Sequence, residues 1–346
     1  MNLLKSIFVV LSLLICANAI AVDIIAHRGA SGVLPEHTLV SVAYAHAAGA
    51  DYIEQDVVLT KDDIPIVMHD IYLEQTTNVA DIFPKRKRED GHFYAIDFTV
   101  QEIQYLEVHE RVAPGTNKPI FPNRFPLQMT QFRVPTLEQE IKLIQGLNHS
   151  TRLDVGLYVE LKNPQWHRDN GKNLATHTLG LLAQYGYENA DDNAFIQSFD
   201  AKELKLIFTQ QLTNLKLIQL IGENDWNLAE TDFDAMKTSE GITEVATYAA
   251  GIGPWWKQLL MLSDDKIITT DLTRFAHQHK LLVHPYTFRI EEVPAKAHDY
   301  EHLLKVIVQT LQVDAIFTDN PLRTAKFVSR SVILNDFKHE PKAGKR

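Results

Sequence analysis

Eight short apolar runs recur along the chain: Ile24 to Ala26, Tyr52 to Leu59, Val155 to Leu161, Ala194 to Ile196, Leu215 to Ile221, Tyr248 to Ile252, Leu281 to Val283 and Ala315 to Phe317. Runs of this kind mark strands covered on both faces, as in a parallel sheet whose crossover helices shield each side. Helical patterns lie between most of them, as at Leu174 to Tyr185, Ala201 to Gln210, Ile268 to His279 and Tyr300 to Leu311. The alternation predicts an α/β fold, a (β/α)8 TIM barrel. A doubly wound open sheet competes with it, but the first turn has no G-x-G-x-x-G fingerprint and the chain has no P-loop.

The opening residues stand apart. Lys5, an apolar run from Ile7 to Ile15 and the small-x-small steps Ala17-Asn18-Ala19 and Ala19-Ile20-Ala21 read as a secretory signal peptide over residues 1–21. The apolar core is too short for a membrane span, and Ile15 before Cys16 does not fit a lipid-attachment box. Cleavage removes Cys16, the only cysteine, so no disulfide supports the mature chain. The expectation is a periplasmic or secreted protein whose single barrel domain spans residues 22–337. From residue 338 to 346 the chain reads as a flexible basic tail.

Residues 71–135 break the rhythm with the basic run Lys85-Arg86-Lys87-Arg88, five prolines from Pro114 to Pro135 and one helical patch near Val100 to Val108. They read as an insertion after the second strand, on the barrel rim where long loops serve function. The basic run is expected to be a solvated charge cluster. Formal charge is −10, and losing Lys5 with the leader makes it −11. So acidic a chain is a poor partner for nucleic acid or anionic membrane, and anion recognition must be local.

Chemistry-bearing residues collect where runs end. His27 and Arg28 follow Ile24-Ile25-Ala26 and enter the Gly29 to Gly32 turn, with Pro35 and Glu36 opening a helix closed by Gly49. In the second run Glu54 and Asp56 are two residues apart, so both carboxylates leave one strand face about 6 to 7 Å apart, within reach of one hard cation. The strand is otherwise apolar, and unpartnered buried carboxylates are costly, which favours a metal over a solvated acidic face. Ile64 to Met68 delivers His69, and Tyr158 to Leu161 carries Glu160, a candidate third carboxylate, with Lys162 on the same face. Lys162 is placed to hold a phosphate oxygen; the plainer reading is a structural pair with Glu160. Gln197 ends the fourth run, Trp255 and Trp256 follow the sixth, with core or lid packing their default, and the seventh leads into His284-Pro285-Tyr286-Thr287.

These residues resemble a known family. HRGASG, PEHT, EQDVVLTKDD, VMHD, YVELK, GIGP, HPYT and TDNP, in this order, with YAIDF and GLNHST between, are similar to the glycerophosphodiester phosphodiesterases of the periplasmic bacterial type. The resemblance covers nearly the whole mature chain. It implies a (β/α)8 barrel that hydrolyses diesters such as glycerophosphocholine or glycerophosphoethanolamine to sn-glycerol 3-phosphate and an alcohol. It further implies His27 and His69 as the acid/base pair, Glu54, Asp56 and Glu160 as ligands of a divalent metal, commonly calcium, and Arg28 near the phosphate. Lys162, Gln197 and Tyr286 are carried as substrate contacts. Ala250 stands where relatives often have an acid.

Phosphodiester cleavage fits this set. It needs charge neutralisation, a base for the attacking hydroxyl and an acid for the departing oxygen, and imidazole titrates near working pH. The sequence does not separate which histidine is base, whether water or the glycerol 2-hydroxyl attacks, or Ca²⁺ from Mg²⁺, although a carboxylate set in an exported protein suits Ca²⁺. A phospholipase D-like or phosphoinositide-cleaving enzyme is the rival catalyst, and a non-catalytic binding module on the same barrel is the rival from another class. No stable membrane insertion is expected, and the oligomeric state is open.

Overall fold

A computed structural model describes residues 22–338 apart from 128, 130 and 263–266. The leader read in residues 1–21 and the tail beyond 338 lie outside the described residues. Within them the strands are β1 (Asp23–Ala26), β2 (Tyr52–Leu59), β3 (Pro65–Val67), β4 (Gly156–Leu161), β5 (Ala194–Ser198), β6 (Lys216–Ile221), β7 (Gly251–Pro254), β8 (Leu260–Leu262), β9 (Ile267–Thr269), β10 (Leu282–Val283) and β11 (Ala315–Thr318).

Eight of them run parallel in the order β10-β7-β6-β5-β4-β2-β1-β11. The seam between β10 and β11 has no regular ladder. It is fastened by the Asp314 N–H to the Val283 carbonyl (3.0 Å), the Phe317 N–H to the Pro285 carbonyl (3.0 Å) and the Phe288 N–H to the Phe317 carbonyl (2.8 Å). The result is a nearly closed TIM barrel, as the eight apolar runs predict.

Period-two alternation then sorts the side chains. Ile25, Tyr158, Phe195, Ile218, Ala315 and Phe317 fill the barrel, with Tyr158 and Phe195 stacked at 4.9 Å and Phe317 edge-on to Tyr158 at 4.9 Å. Ile53, Val57, Leu157, Val159, Ile196 and Leu217 face outward and form one core with Val42, Ile141, Leu179, Leu204 and Ile307 of the surrounding helices. Inward positions two residues further on, at the C-terminal ends, carry the polar groups.

Several boundaries differ from expectation. The helix expected to open at Pro35-Glu36 spans Leu39–Ala47, because Thr38 caps it by accepting the Ser41 N–H at 3.2 Å; Glu36 and His37 stay in the loop. Gly49 closes it with φ +85°. Tyr248, expected to start a strand, lies in the turn after the helix Ser239–Val245 and donates its hydroxyl to Gln219 at 2.9 Å, and β7 begins at Gly251. The first residues of the pattern at Ile268 to His279 pair as the hairpin β8–β9, and the helix is Leu272–Gln278.

Residues 71–135 are more than a loop. Ile71, Leu73, Val79, Phe93, Phe98, Ile103, Leu106 and Val134 form a second core that continues onto Val58, Ile66 and Met68, where β3 runs antiparallel to β2. The basic run divides: Lys85 and Lys87 are exposed, as a solvated cluster requires, whereas the two arginines are paired. Arg86 pairs with Glu102 at 2.8 Å over the Phe98 ring, and Arg88 binds both oxygens of Asp97 at 2.7 Å over Tyr94.

One buried acid lies away from the barrel mouth. Glu140, on the helix Leu137–Thr151, is fully buried and, among the described residues, neither carboxylate oxygen has a partner in good geometry. Burial holds its pKa well above the ordinary value. A raised folded-state pKa contributes stability that is complete below the unfolded pKa and is lost as pH rises through the folded one. Glu140→Gln, which keeps the shape of the neutral acid, is therefore expected to melt with the wild type at about pH 5 and above it at about pH 9. Equal melting differences at both pH values, measured by calorimetry, would show that Glu140 folds without its proton.

Candidate active site

The turn after β1 sets the first two groups. Arg28 and Gly29 adopt left-handed backbone (φ +55° and +78°), and a Cβ on Gly29 would meet Ser41 Oγ at 2.6 Å, so only glycine fits. This turn aims the Arg28 N–H at Glu54 Oε2 (2.7 Å) and sets its guanidinium 3.2 Å from Asp56 and 3.1 Å from Glu36. His27 leaves β1 with Nδ1 at 2.7 Å from Asp319 Oδ1, while Asp319 Oδ2 accepts from Arg124 Nη2 (2.7 Å) and Arg289 Nε (2.8 Å).

Strand register brings the acids together. Asp56 sits opposite Glu160, and Glu160 opposite Gln197. Lys162 Nζ lies 2.6 Å from Glu160 and 3.4 Å from Asp56, so the Glu160–Lys162 pair read as the plainer alternative does form. Gln197 Nε2 is 3.5 Å from Glu54. His37, which the sequence reading passed over, lies beside them with Nε2 2.8 Å from Asp56 Oδ2.

The electrostatics show a deficit of positive charge. Burial, reinforced by Asp56 and Glu160, pushes Glu54 well above the carboxylate range. Glu160 is driven up to about 7 mainly by burial. Asp56 is held well below the range by Lys162, His69 and Arg28, against its burial. Three buried acids thus share two fixed cations, and among the described residues neither Asp56 Oδ1, 3.4 Å from Lys162 Nζ, nor Gln197 Oε1 has a hydrogen-bond partner in good geometry. Ligand atoms of His37, Glu54 and Asp56 lie within 4.8 Å of one another, a buried group able to hold a divalent metal. Oxygen-rich, acid-rich and short of positive charge, this corner fits a hard cation.

His69 follows β3 and faces the cavity from the other side. Its Nδ1 is 2.6 Å from Asp70 Oδ1, and Asp70 Oδ2 accepts from Arg111 Nη1 at 2.5 Å. Arg111 also binds both oxygens of Glu36 at 2.6 and 3.0 Å. Burial and the Arg28 charge lower His27 to about 3 and His69, whose side chain is 31% exposed, to about 4. Both shifts favour the neutral imidazole in the free site.

A cleft of about 400 Å³ joins these groups. His27, Arg28, Glu54, His69, Glu160, Lys162 and Gln197 are its polar lining, and Phe199, Trp226, Trp255 and Tyr286 its aromatic lining. Tyr286 presents its ring, since its hydroxyl donates to the Ile221 carbonyl at 2.8 Å. Of the two neighbouring indoles Trp255 lines the cleft, while Trp256 is buried in the core against Phe288. His284 belongs to the barrel filling, with Nδ1 2.8 Å from the Tyr158 hydroxyl.

His27, Arg28, Glu54, His69, Glu160, Lys162, Gln197 and Tyr286 of the sequence reading thus line one cleft, Asp56 lies buried against Arg28 and Lys162, and His284 stays outside the cleft lining. Asp319, Arg289, Arg124, Arg111 and His37 were not singled out. His37 and Asp319 lay inside the quoted PEHT and TDNP segments, whereas the arginines carry no periodic signal.

The model of the glycerophosphoryl diester phosphodiesterase family matches residues 27–323. The chain belongs to this family. A glycerophosphodiester phosphodiesterase of Haemophilus influenzae is 42% identical over 324 residues, covering 88% of this chain and 89% of that relative. One of Treponema pallidum is 35% identical, covering 89% and 92%. Among solved structures, a Silicibacter pomeroyi protein described under the same enzyme name superposes with TM-score 0.67 at 25% identity, covering 90% of this chain and 94% of that one. An Oleispira antarctica phosphodiesterase, solved with its product sn-glycerol-3-phosphate, shares the fold with TM-score 0.60 at 20% identity, covering 89% and 96%. The chain is thus a glycerophosphodiester phosphodiesterase, and among the described residues no helix is long and apolar enough to cross a membrane.

The charge deficit is measurable in the phosphodiesterase without substrate. A divalent cation at a hundred times its dissociation constant is expected to stabilise the fold by about 2.7 kcal/mol. Asp56→Asn should abolish that melting shift; a shift that survives it would place the ion elsewhere.

Proposed function

We propose that this phosphodiesterase uses a divalent cation, Ca²⁺ in preference to Mg²⁺, to hydrolyse small soluble glycerophosphodiesters such as glycerophosphocholine or glycerophosphoethanolamine to sn-glycerol 3-phosphate and an alcohol. The observation that carries the reading is the pair of imidazoles, each backed by an aspartate, facing one cleft lined by Glu54, Glu160, Arg28 and Lys162, with Asp56 buried against both cations. The product bound to the Oleispira antarctica relative supports the choice of substrate class.

In this reading Glu54, Asp56 and Glu160, with His37 against Asp56, hold the ion. When bound, it draws charge from the phosphoryl oxygens and makes phosphorus more electrophilic. Arg28 and Lys162 reach the same oxygens from either side. His27, its Nδ1 proton directed to Asp319, presents Nε2 as the base that takes the proton of the attacking hydroxyl, from water or the glycerol 2-hydroxyl. His69 is neutral in the free site and gains its proton as the phosphodiester anion enters, then donates it to the departing alkoxide. Phe199, Trp226, Trp255 and Tyr286 exclude water from the organic part of the substrate.

The single domain over 22–337 and the insertion at 71–135 frame this site. Residues 1–21 would direct it to the periplasm and be removed; Edman sequencing of the exported protein should start just after Ala19 or Ala21, and a mature chain that begins at Met1 contradicts export by cleavage.

A coupled glycerol 3-phosphate assay tests the chemistry. His27→Ala and His69→Ala are each expected to lower turnover by about 10²-fold or more with the fold retained. Chelation should silence the wild type, and Ca²⁺ should restore it better than Mg²⁺. Full activity under chelator would remove the acids from the reaction, and cleavage of intact lipid in vesicles at a comparable rate would favour the lipid phosphodiesterase reading.

A further inference from the structure

Two arginines leave the insertion's own core and reach the supports of the two histidines. Arg124, its side chain 6% exposed, donates from Nη2 to Asp319 Oδ2 at 2.7 Å and from Nη1 to the Ser31 carbonyl at 3.2 Å. It binds both oxygens of Glu291 at 2.8 and 3.1 Å, and its guanidinium lies 3.9 Å over the Phe121 ring. One side chain therefore ties the insertion to the loops after β1, β10 and β11. Arg111 plays the matching part on the opposite side, where it holds Asp70 and Glu36.

We propose that Arg124 and Arg111 are positioning residues through which the insertion fixes the carboxylates behind His27 and His69. The proposal rests on the reading of those histidines as the proton-transfer pair.

The physical argument concerns the second oxygen of each aspartate. A carboxylate that accepts from Nδ1 fixes the tautomer and leaves Nε2 facing the cleft. That carboxylate aims the ring only while its own orientation is set. Asp319 has its free oxygen gripped by Arg124 and Arg289, and Asp70 has its free oxygen gripped by Arg111. The supports are unequal. Loss of Arg124 leaves Arg289 on Asp319, whereas loss of Arg111 also leaves Glu36 to Arg28 alone and so reaches the acid cage. Arg124 is the cleaner probe because its contacts do not touch the acids of the cage.

The test is a double-mutant cycle on the full chain with glycerophosphocholine as substrate. Arg124→Ala is expected to lower kcat about tenfold with KM within about twofold, the size seen when a residue supporting a functional imidazole is removed. In a His27→Ala background the same change should alter kcat less than about twofold, because no imidazole remains to be aimed. Guanidinium ion in the buffer should return part of the lost rate to Arg124→Ala, and Arg124→Lys should fall between. If Arg124→Ala melts too early to assay, Arg124→Gln, which keeps one donor toward Asp319, is held to the same criteria. Independent, multiplying losses, or wild-type kcat in Arg124→Ala beside a slow His27→Ala, would overturn the positioning role and leave the proton-transfer reading standing. A fast His27→Ala would overturn both.

Discussion

Three buried carboxylates converging on one end of a barrel is the constraint around which the rest is arranged. Each carries a large desolvation cost, and two at hydrogen-bonding range repel. Arg28 and Lys162 relieve part of this, at 3.2 and 3.4 Å from Asp56. The remainder, with burial, pushes Glu54 and Glu160 upward, toward their protonated forms. A site built in this way has affinity for added positive charge, and for the anion that such charge attracts, before any particular ligand is considered. The left-handed turn at Arg28-Gly29 follows from the same demand, since it alone brings both the backbone N–H and the guanidinium of one residue onto the acids.

What the sequence made legible and what it hid divide along physical lines. Eight parallel strands were readable because burial on both faces leaves unbroken apolar runs. Glu54, Asp56, Glu160 and Lys162 were readable because period-two spacing fixes the face of a strand without knowledge of its neighbours. β10 was legible to within one residue, whereas the start of β7 was blurred because the apolar Tyr248 and Ala249 continue its run although they lie between the preceding helix and the strand. Ile268 and Thr269 at the end of β9 were read as the start of a helix because apolar spacing fits either period over so few residues.

The supporting charges were hidden for another reason. Arg111 and Arg124 lie 41 and 195 positions from the aspartates they bind, in a proline-rich stretch with no repeating pattern. The insertion's own arginines mislead in the same way: Arg86 and Arg88 read as a solvated cluster, yet each is clamped to an acid over an aromatic ring. Pairing of this kind depends on tertiary closure alone. His37 and Asp319 fall between the two cases, since both lay in recognisable segments whose role only the folded neighbourhood discloses.

The fastening between β10 and β11 has a consequence of its own. Along that line the cylinder is laced by a few isolated backbone bonds, and beside it stand Asp319 and Arg289, the groups that hold the first imidazole. Breathing of the fold will begin where lacing is sparsest. The steadiness of His27 is thus tied to the least reinforced join in the wall, and the side chains bridging that join, more than the strands themselves, act as its rivets.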